Sequence, residues 1–191
     1  MSGGKALAEC LASALGYPCI GRGILVKAAD NVGVSEETLI KKFEKSPGLW
    51  GRLTSDRRLY VTAVQAALLE QTVNGDLVYH GHAGHLLLKD IPNVLRVRLI
   101  APLEMRSQSV MEHQHLTNEA AAEYIRNVDE DRVRWTKFIF GVDWRDPSLY
   151  DMVLNLQNTS VKSACAVVSQ AVLQPEFTIS DSDRKVMRDQ T

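Results

Sequence analysis

The chain has 191 residues, 45% of them hydrophobic and 24% charged, enough for one domain with a sizeable core. Its 22 Lys and Arg offset 23 Asp and Glu to a formal net charge of −1, which argues against bulk nucleic-acid binding by phosphate neutralisation and leaves only a local basic pocket open. No run approaches the ~18 apolar residues of a membrane span, and no basic segment leads into an apolar run with a cleavage site, so cytoplasm is the expected location.

The opening MSGGKALAECL sets a glycine pair and a lysine directly before a helix. Two readings stand side by side: a plain helix cap or disordered start, and a phosphate cradle made of Ser2, Gly3, Gly4 and Lys5 at the positive end of the helix dipole. From Lys5 to Leu15, Leu7, Leu11 and Leu15 with Ala8 and Ala12 predict an amphipathic helix that Gly16 and Pro18 stop. The three cysteines, Cys10, Cys19 and Cys165, are odd in number and widely spaced with no CxxC, which predicts small core residues in a reducing compartment, not a disulfide framework or a zinc site.

VSEETLIKKFE at 34–44, with Ser35 as cap and two glutamates in the first turn, predicts a second helix, and RRLYVTAVQAALLEQTV at 57–73 a third. LVY at 77–79 and VLRVRLI at 94–100 read as strands; in the second, Leu95, Val97 and Leu99 share one face while Arg96 and Arg98 share the other, which must meet solvent or an anionic partner. Leu103–His113 is predicted helical, Thr117 caps a long helix over about 118–140, DMVLNL at 151–156 is a third strand, and a helix follows over about 161–173. This order of elements is that of an α/β domain with a parallel sheet. The tail QPEFTISDSDRKVMRDQT loses apolar periodicity and reads as a linker or frayed end; there is no internal repeat.

All five histidines fall between residues 80 and 115. HGHAGH at 80–85 supports three readings: a metal site joining His80 and His82, a turn holding a phosphate group, and packed structural histidines.

SGGKALAECLASALGYP resembles the glycine-rich opening of the cytidylate kinase-like family of P-loop nucleoside monophosphate kinases. VYHGHAGHLLL resembles that family's strand ending in GRGA, PNVLRVRLIAPLEMR its next strand and helix start, and VDEDRVRW with GVDWRDPSLYDMVLNL its lid and last strand. The similarity spans roughly residues 1–172. It implies a P-loop nucleoside monophosphate kinase-like parallel sheet flanked by helices over 1–173, with an acceptor-side helical region at 31–75, a lid-like region at 115–147 and a polar tail or linker at 174–191. It also implies phosphoryl transfer from ATP, with Mg2+, to a pyrimidine nucleotide, cytidine monophosphate foremost. In that pattern Lys5 neutralises donor phosphates, Arg106 and Arg132 stabilise the transferring group, and Arg22, His82 and Asp129 address the acceptor; Arg126 and Arg134 are weaker candidates, and Asp146 and Asp151 read as structural.

The sequence departs from the pattern at several points. Ala6 stands where a P-loop hydroxyl follows the lysine, His82 replaces an always-charged arginine, and Gly21 precedes Arg22 where the family carries an acid. The strand that anchors a P-loop is not seen before the glycines. A homodimer or partner chain is therefore expected to fill the central slot, unless the sequence belongs to a longer protein. The competing expectation is a nucleotide sensor or interaction protein with impaired catalysis, and a less favoured one is a histidine-based metal-binding protein.

Overall fold

The computed structural model describes residues 2–21, 23, 24, 28, 33, 54–73, 76–81 and 83–178, with backbone alone at 54–60 and 73. Arg22, His82 and the helix expected at 34–44 lie outside these residues. The first helix, α1 (Gly4–Leu15), buries Leu7, Ala8 and Leu11 on one stripe. Gly16 ends it at φ 71° by donating its N–H to the Ala12 carbonyl, a left-handed turn that glycine takes without strain. A two-residue strand, β1 (Cys19–Ile20), follows, then α2 (Thr54–Val73), β2 (Val78–Tyr79), the single turn α3 (Gly84–Leu87), and β3 (Val97–Ile100). The chain continues through α4 (Leu103–Gln114), α5 (Asn118–Phe140), β4 (Met152–Asn155) and α6 (Val161–Val172).

The cap predicted at Thr117 operates, and the structure adds caps at the end of α5 and the start of α6. Thr117 Oγ1 accepts from the Ala120 N–H at 3.3 Å at the start of α5, and Gly141 at φ 74° closes it; Ser160 Oγ accepts from the Ser163 N–H at 3.0 Å to open α6. The polar tail begins tied down, because Asn93 Nδ2 donates to the carbonyls of Glu176 and Thr178.

The fold is mixed α/β, with parallel strands and flanking helices. Cys19 lies opposite Val78 in one pair, and Val97 opposite Met152 in the other. Among the described residues these are two separate two-stranded sheets, so the single sheet expected from the element order is divided between β2 and β3. Leu7, Leu11, Leu156, Ala164, Cys165 and Val168 form one core between α1, α6 and the apolar faces of β3 and β4. A second core gathers Ile24, Val64, Leu68, Leu86, Leu87 and Trp135, and Val110, Ala121 and Ile125 join α4 to α5.

A further expectation is corrected. Cys10 and Cys165 form a disulfide, with Cα atoms 6.2 Å apart across 155 residues of sequence, because α1 and α6 pack side by side with the two cysteines on facing stripes. Only Cys19 is a free thiol, and the inference of a reducing compartment from unpaired cysteines loses its support. The polar face of β3 meets an anionic partner within the chain, since Arg96 lies 3.6 Å from the Asp151 carboxylate. Arg96 donates to the carbonyls of Leu88 (2.9 Å) and Lys89 (2.7 Å), satisfying the end of the α3 turn, and Arg98 donates to the Arg145 carbonyl.

Candidate active site

A cleft of about 1540 Å³ is lined by Ser2, Gly3, Gly4 and Lys5 together with Arg106, Asp129 and Arg132. Gly3 is the N-cap of α1 at φ 75°, a left-handed conformation that favours glycine, and a Cβ there would press on Leu156 Cδ1 at 3.2 Å. No side chain caps this helix, which leaves its first-turn N–H groups and the positive end of its dipole turned to the cleft. Lys5 is largely exposed and lies 3.7 Å from Glu9, a loose pair that leaves the ammonium movable.

Arg106 is held differently. Sitting in the first turn of α4, it forks onto Asp129 of α5, with Nη1 to Oδ2 at 2.6 Å and Nη2 to Oδ1 at 2.9 Å, and its side chain is only 14% exposed. Arg132, one turn beyond Asp129, stands 4.0 Å from the same carboxylate. One acid therefore gathers two guanidinium groups against the cleft, which concentrates positive charge where an anionic ligand would enter. Arg134 is spent on Asp131 and Glu130, and Arg126 is exposed on the helix surface.

Beside this cluster lies a set of residues that the sequence reading placed only in part. Arg98 stacks over Trp144 at 4.9 Å from its ring centroid and near Tyr150 at 5.7 Å. Tyr150 donates its hydroxyl proton to the Trp144 carbonyl at 2.7 Å and meets His85 Nε2 at 3.1 Å, with the two rings stacked at 4.4 Å. Since that proton is committed, Nε2 of His85 is the donor to the tyrosine oxygen, so the neutral ring is the Nε2–H tautomer. Burial, helped by Arg98 and Arg96, lowers the His85 pKa to about 4, and burial pushes Tyr150 up to about 12. The loop that carries Trp144 is braced by Asp143, whose carboxyl is pulled to about 2 by hydrogen bonds from the Arg145 side chain and backbone. Asp146 accepts from the Ser148 N–H, and Asp151 accepts from the Arg96 N–H at 2.6 Å, the structural duties expected of both.

The histidine-rich turn resolves into separate contacts. A Cβ on Gly21 would stand 2.8 Å from the His80 ring, and one on Gly84 2.6 Å from the Tyr79 ring, with Gly81 tighter still against the Tyr79 hydroxyl. The imidazole of His80 thus fills the space beside Gly21, and the two turn glycines make way for Tyr79. His113 Nδ1 lies 2.7 Å from the Ser109 carbonyl within α4, and His115 ends that helix in the left-handed region. Among the described residues no three His, Cys, Asp or Glu side chains converge as a metal site. Magnesium would find few protein ligands here, because Ala6 has no hydroxyl and both Asp129 oxygens accept from Arg106. The phosphates of a nucleotide fit better, given uncapped amides, Lys5, Arg106 and Arg132 on one cleft.

The model of the cytidylate kinase-like family matches residues 1–158. A cytidylate kinase of Methanopyrus kandleri is 28% identical over 172 residues, covering 90% of this chain and 88% of its own length, and one of Sulfurisphaera tokodaii is 27% identical, covering 82% of each. A crystal structure of an uncharacterized protein from Eubacterium ventriosum matches with a TM-score of 0.67 at 17% identity, over 90% of this chain and 92% of that one. Residues 1–158 carry the cleft lining from Ser2 to Tyr150, with Val168, Val172, Phe177 and Thr178 beyond them, and the chain belongs to the cytidylate kinase-like family.

Proposed function

We propose that this protein is a P-loop-type nucleoside monophosphate kinase that transfers the terminal phosphoryl group of ATP to a pyrimidine monophosphate, cytidine monophosphate foremost. The observation that carries the reading is the gathering of an uncapped helix N-terminus, a movable lysine and two arginines on one cleft. Phosphoryl transfer asks little covalent chemistry of a protein and much positioning and charge neutralisation, which is what these groups supply. The amides of Gly3 and Gly4 cradle the donor phosphates, with Ser2 beside them, and Lys5 swings from Glu9 to the outer oxygens. Arg106 and Arg132 neutralise the transferring group, with Asp129 holding both in position. Arg22 and His82 address the acceptor phosphate. Magnesium, when it accompanies ATP, supplies further charge neutralisation at the phosphate oxygens.

A second reading has its own support. With Arg106 clamped on Asp129 and Ala6 in place of a hydroxyl, the cleft can bind a nucleotide without turning it over, as a sensor would. Coupled measurement of ADP release with a panel of nucleoside monophosphates separates the two. The kinase gives turnover with a pyrimidine monophosphate that falls about 100-fold or more in Lys5→Ala and Arg132→Ala; a sensor gives none with any acceptor.

A further inference from the structure

The loop between α5 and β4 carries a tryptophan to which the chemistry proposed above gives no part. The Trp144 ring meets two cations from different elements: Arg98 of β3, with its guanidinium carbon 4.9 Å from the ring centroid, and Arg132 of α5, with its own at 5.9 Å. Both lie within the reach of a cation–π attraction, about 6 Å. Asp129 alone holds Arg132 weakly. Both oxygens of that carboxylate accept from Arg106, at 2.6 and 2.9 Å, and Arg132 stands 4.0 Å away with its side chain 38% exposed. So long and open an ion pair fixes little.

Trp144 itself is seated from several sides. Its carbonyl accepts from the Tyr150 hydroxyl at 2.7 Å, and Tyr150 is stacked on His85. On either side of it in sequence, Asp143 accepts from the Arg145 N–H at 3.0 Å and the Arg145 carbonyl accepts from Arg98. The loop ends on β3, where the Asp151 and Met152 N–H groups bond to the Arg96 carbonyl. A ring held in this way ties Arg132, which rides on a helix, to the sheet. Its own N–H is a second indication. Trp144 Nε1 is buried with no hydrogen-bond partner, an expense that a phenylalanine filling the same space would avoid. What tryptophan adds over phenylalanine is the best cation-binding face among the side chains.

We propose that Trp144 is a positioning residue, whose face fixes the Arg132 guanidinium at the cleft in the orientation that meets the transferring phosphoryl group. The duty of Arg132 in transfer rests on the kinase reading above; the hold of Trp144 on Arg132 does not. A guanidinium fixed before charge develops stabilises the transition state more than the bound substrates. Its release therefore lowers kcat and leaves KM nearly unchanged. A cation–π contact at a half-exposed site corresponds to a loss of about 5–30-fold.

Trp144→Leu, Trp144→Phe, Arg132→Ala and the double variant Trp144→Leu/Arg132→Ala test it on the full chain. Three quantities are read: kcat and KM for ADP release from ATP and cytidine monophosphate, the urea midpoint, and the order of the Arg132 Nε–H from its heteronuclear Overhauser effect. Trp144→Leu lowers kcat about 5–30-fold with KM within about twofold, and in the Arg132→Ala background the same change alters kcat less than about twofold. Trp144→Phe lowers kcat about two- to fivefold while its urea midpoint stays level or rises, so rate and stability part company. The Arg132 Nε–H is more ordered than that of the exposed Arg126 in wild type and equally mobile in Trp144→Leu. The proposal is overturned if Trp144→Leu leaves kcat or this order unchanged, if its rate loss persists without Arg132, or if the rates of both variants simply follow their urea midpoints. Should Trp144→Leu not fold, Trp144→Phe alone and with Arg132→Ala gives the same comparisons. Wild type without turnover on any nucleoside monophosphate would end the kinase reading, and the order of the Arg132 Nε–H in wild type and variant then decides the hold of Trp144 by itself.

Discussion

Replacing Asp129 by Asn should destabilise the protein by about 2–3 kcal/mol. The substitution keeps the shape but removes the charge that receives both arms of Arg106 at 2.6 and 2.9 Å. A hydrogen bond to a charged group contributes roughly 1.5–3 kcal/mol, and stranding one member of a fully buried pair costs about 3–5 kcal/mol. Asp129 is 26% exposed, and the Asn carbonyl can still accept one bond, which sets the lower figure. Urea unfolding at pH 7 reads this as a midpoint shift of about 0.7–3 M for a urea dependence of roughly 1–3 kcal/mol per molar, with the slope unchanged. Arg106→Lys should lose a comparable amount, since an ammonium cannot reproduce the fork. A loss below 0.5 kcal/mol in Asp129→Asn would refute the account of Asp129 as the anchor that gathers both arginines.

His85 gives a pH dependence with a definite sign. Its folded pKa of about 4 lies below the unfolded value of 6.5, so the unfolded chain takes up the proton first and stability falls as pH drops from 6.5 towards 4. After a discount for the partly exposed ring the loss is about 2 kcal/mol; stability curves for wild type and His85→Gln should diverge in that window and run parallel above pH 7. Gly84→Ala forces a Cβ to 2.6 Å from the Tyr79 ring and should cost about 1–3 kcal/mol in thermal or urea unfolding, while in a Tyr79→Ala background the same change should cost almost nothing. Cys165→Ser opens a loop spanning 155 residues and should cost about 2–5 kcal/mol, a difference that disappears when both proteins are unfolded in dithiothreitol.

Much of the frame was legible from local chemistry. Leucine spacing, Thr117 and Gly16 announced helices and their ends because caps and stripes act within a few residues. What escaped depends on distant partners. Strand β1 is two residues long, too short for any period, and exists through its pairing with Val78 and Tyr79. The disulfide joins opposite ends of the chain, and Arg98 finds its aromatic partners about 50 residues away at Trp144 and Tyr150. The substitution of Gly21 for an acid gains a steric reason only once the His80 ring is seen against it. The glycines, Lys5, Arg106, Arg132 and Asp129, singled out from motif positions, all line the cleft, whereas the fork that fixes Arg106 required the packing of α4 on α5.

Titration calorimetry with ATP is the most direct test of the claim that nucleotide phosphates dock on the open turn of α1. The expected result is one site whose affinity falls about tenfold in Lys5→Ala and weakens with added salt, as a charge-assisted phosphate contact requires. Absence of heat with ATP and with every other nucleotide triphosphate, in protein shown to be folded, would contradict the account.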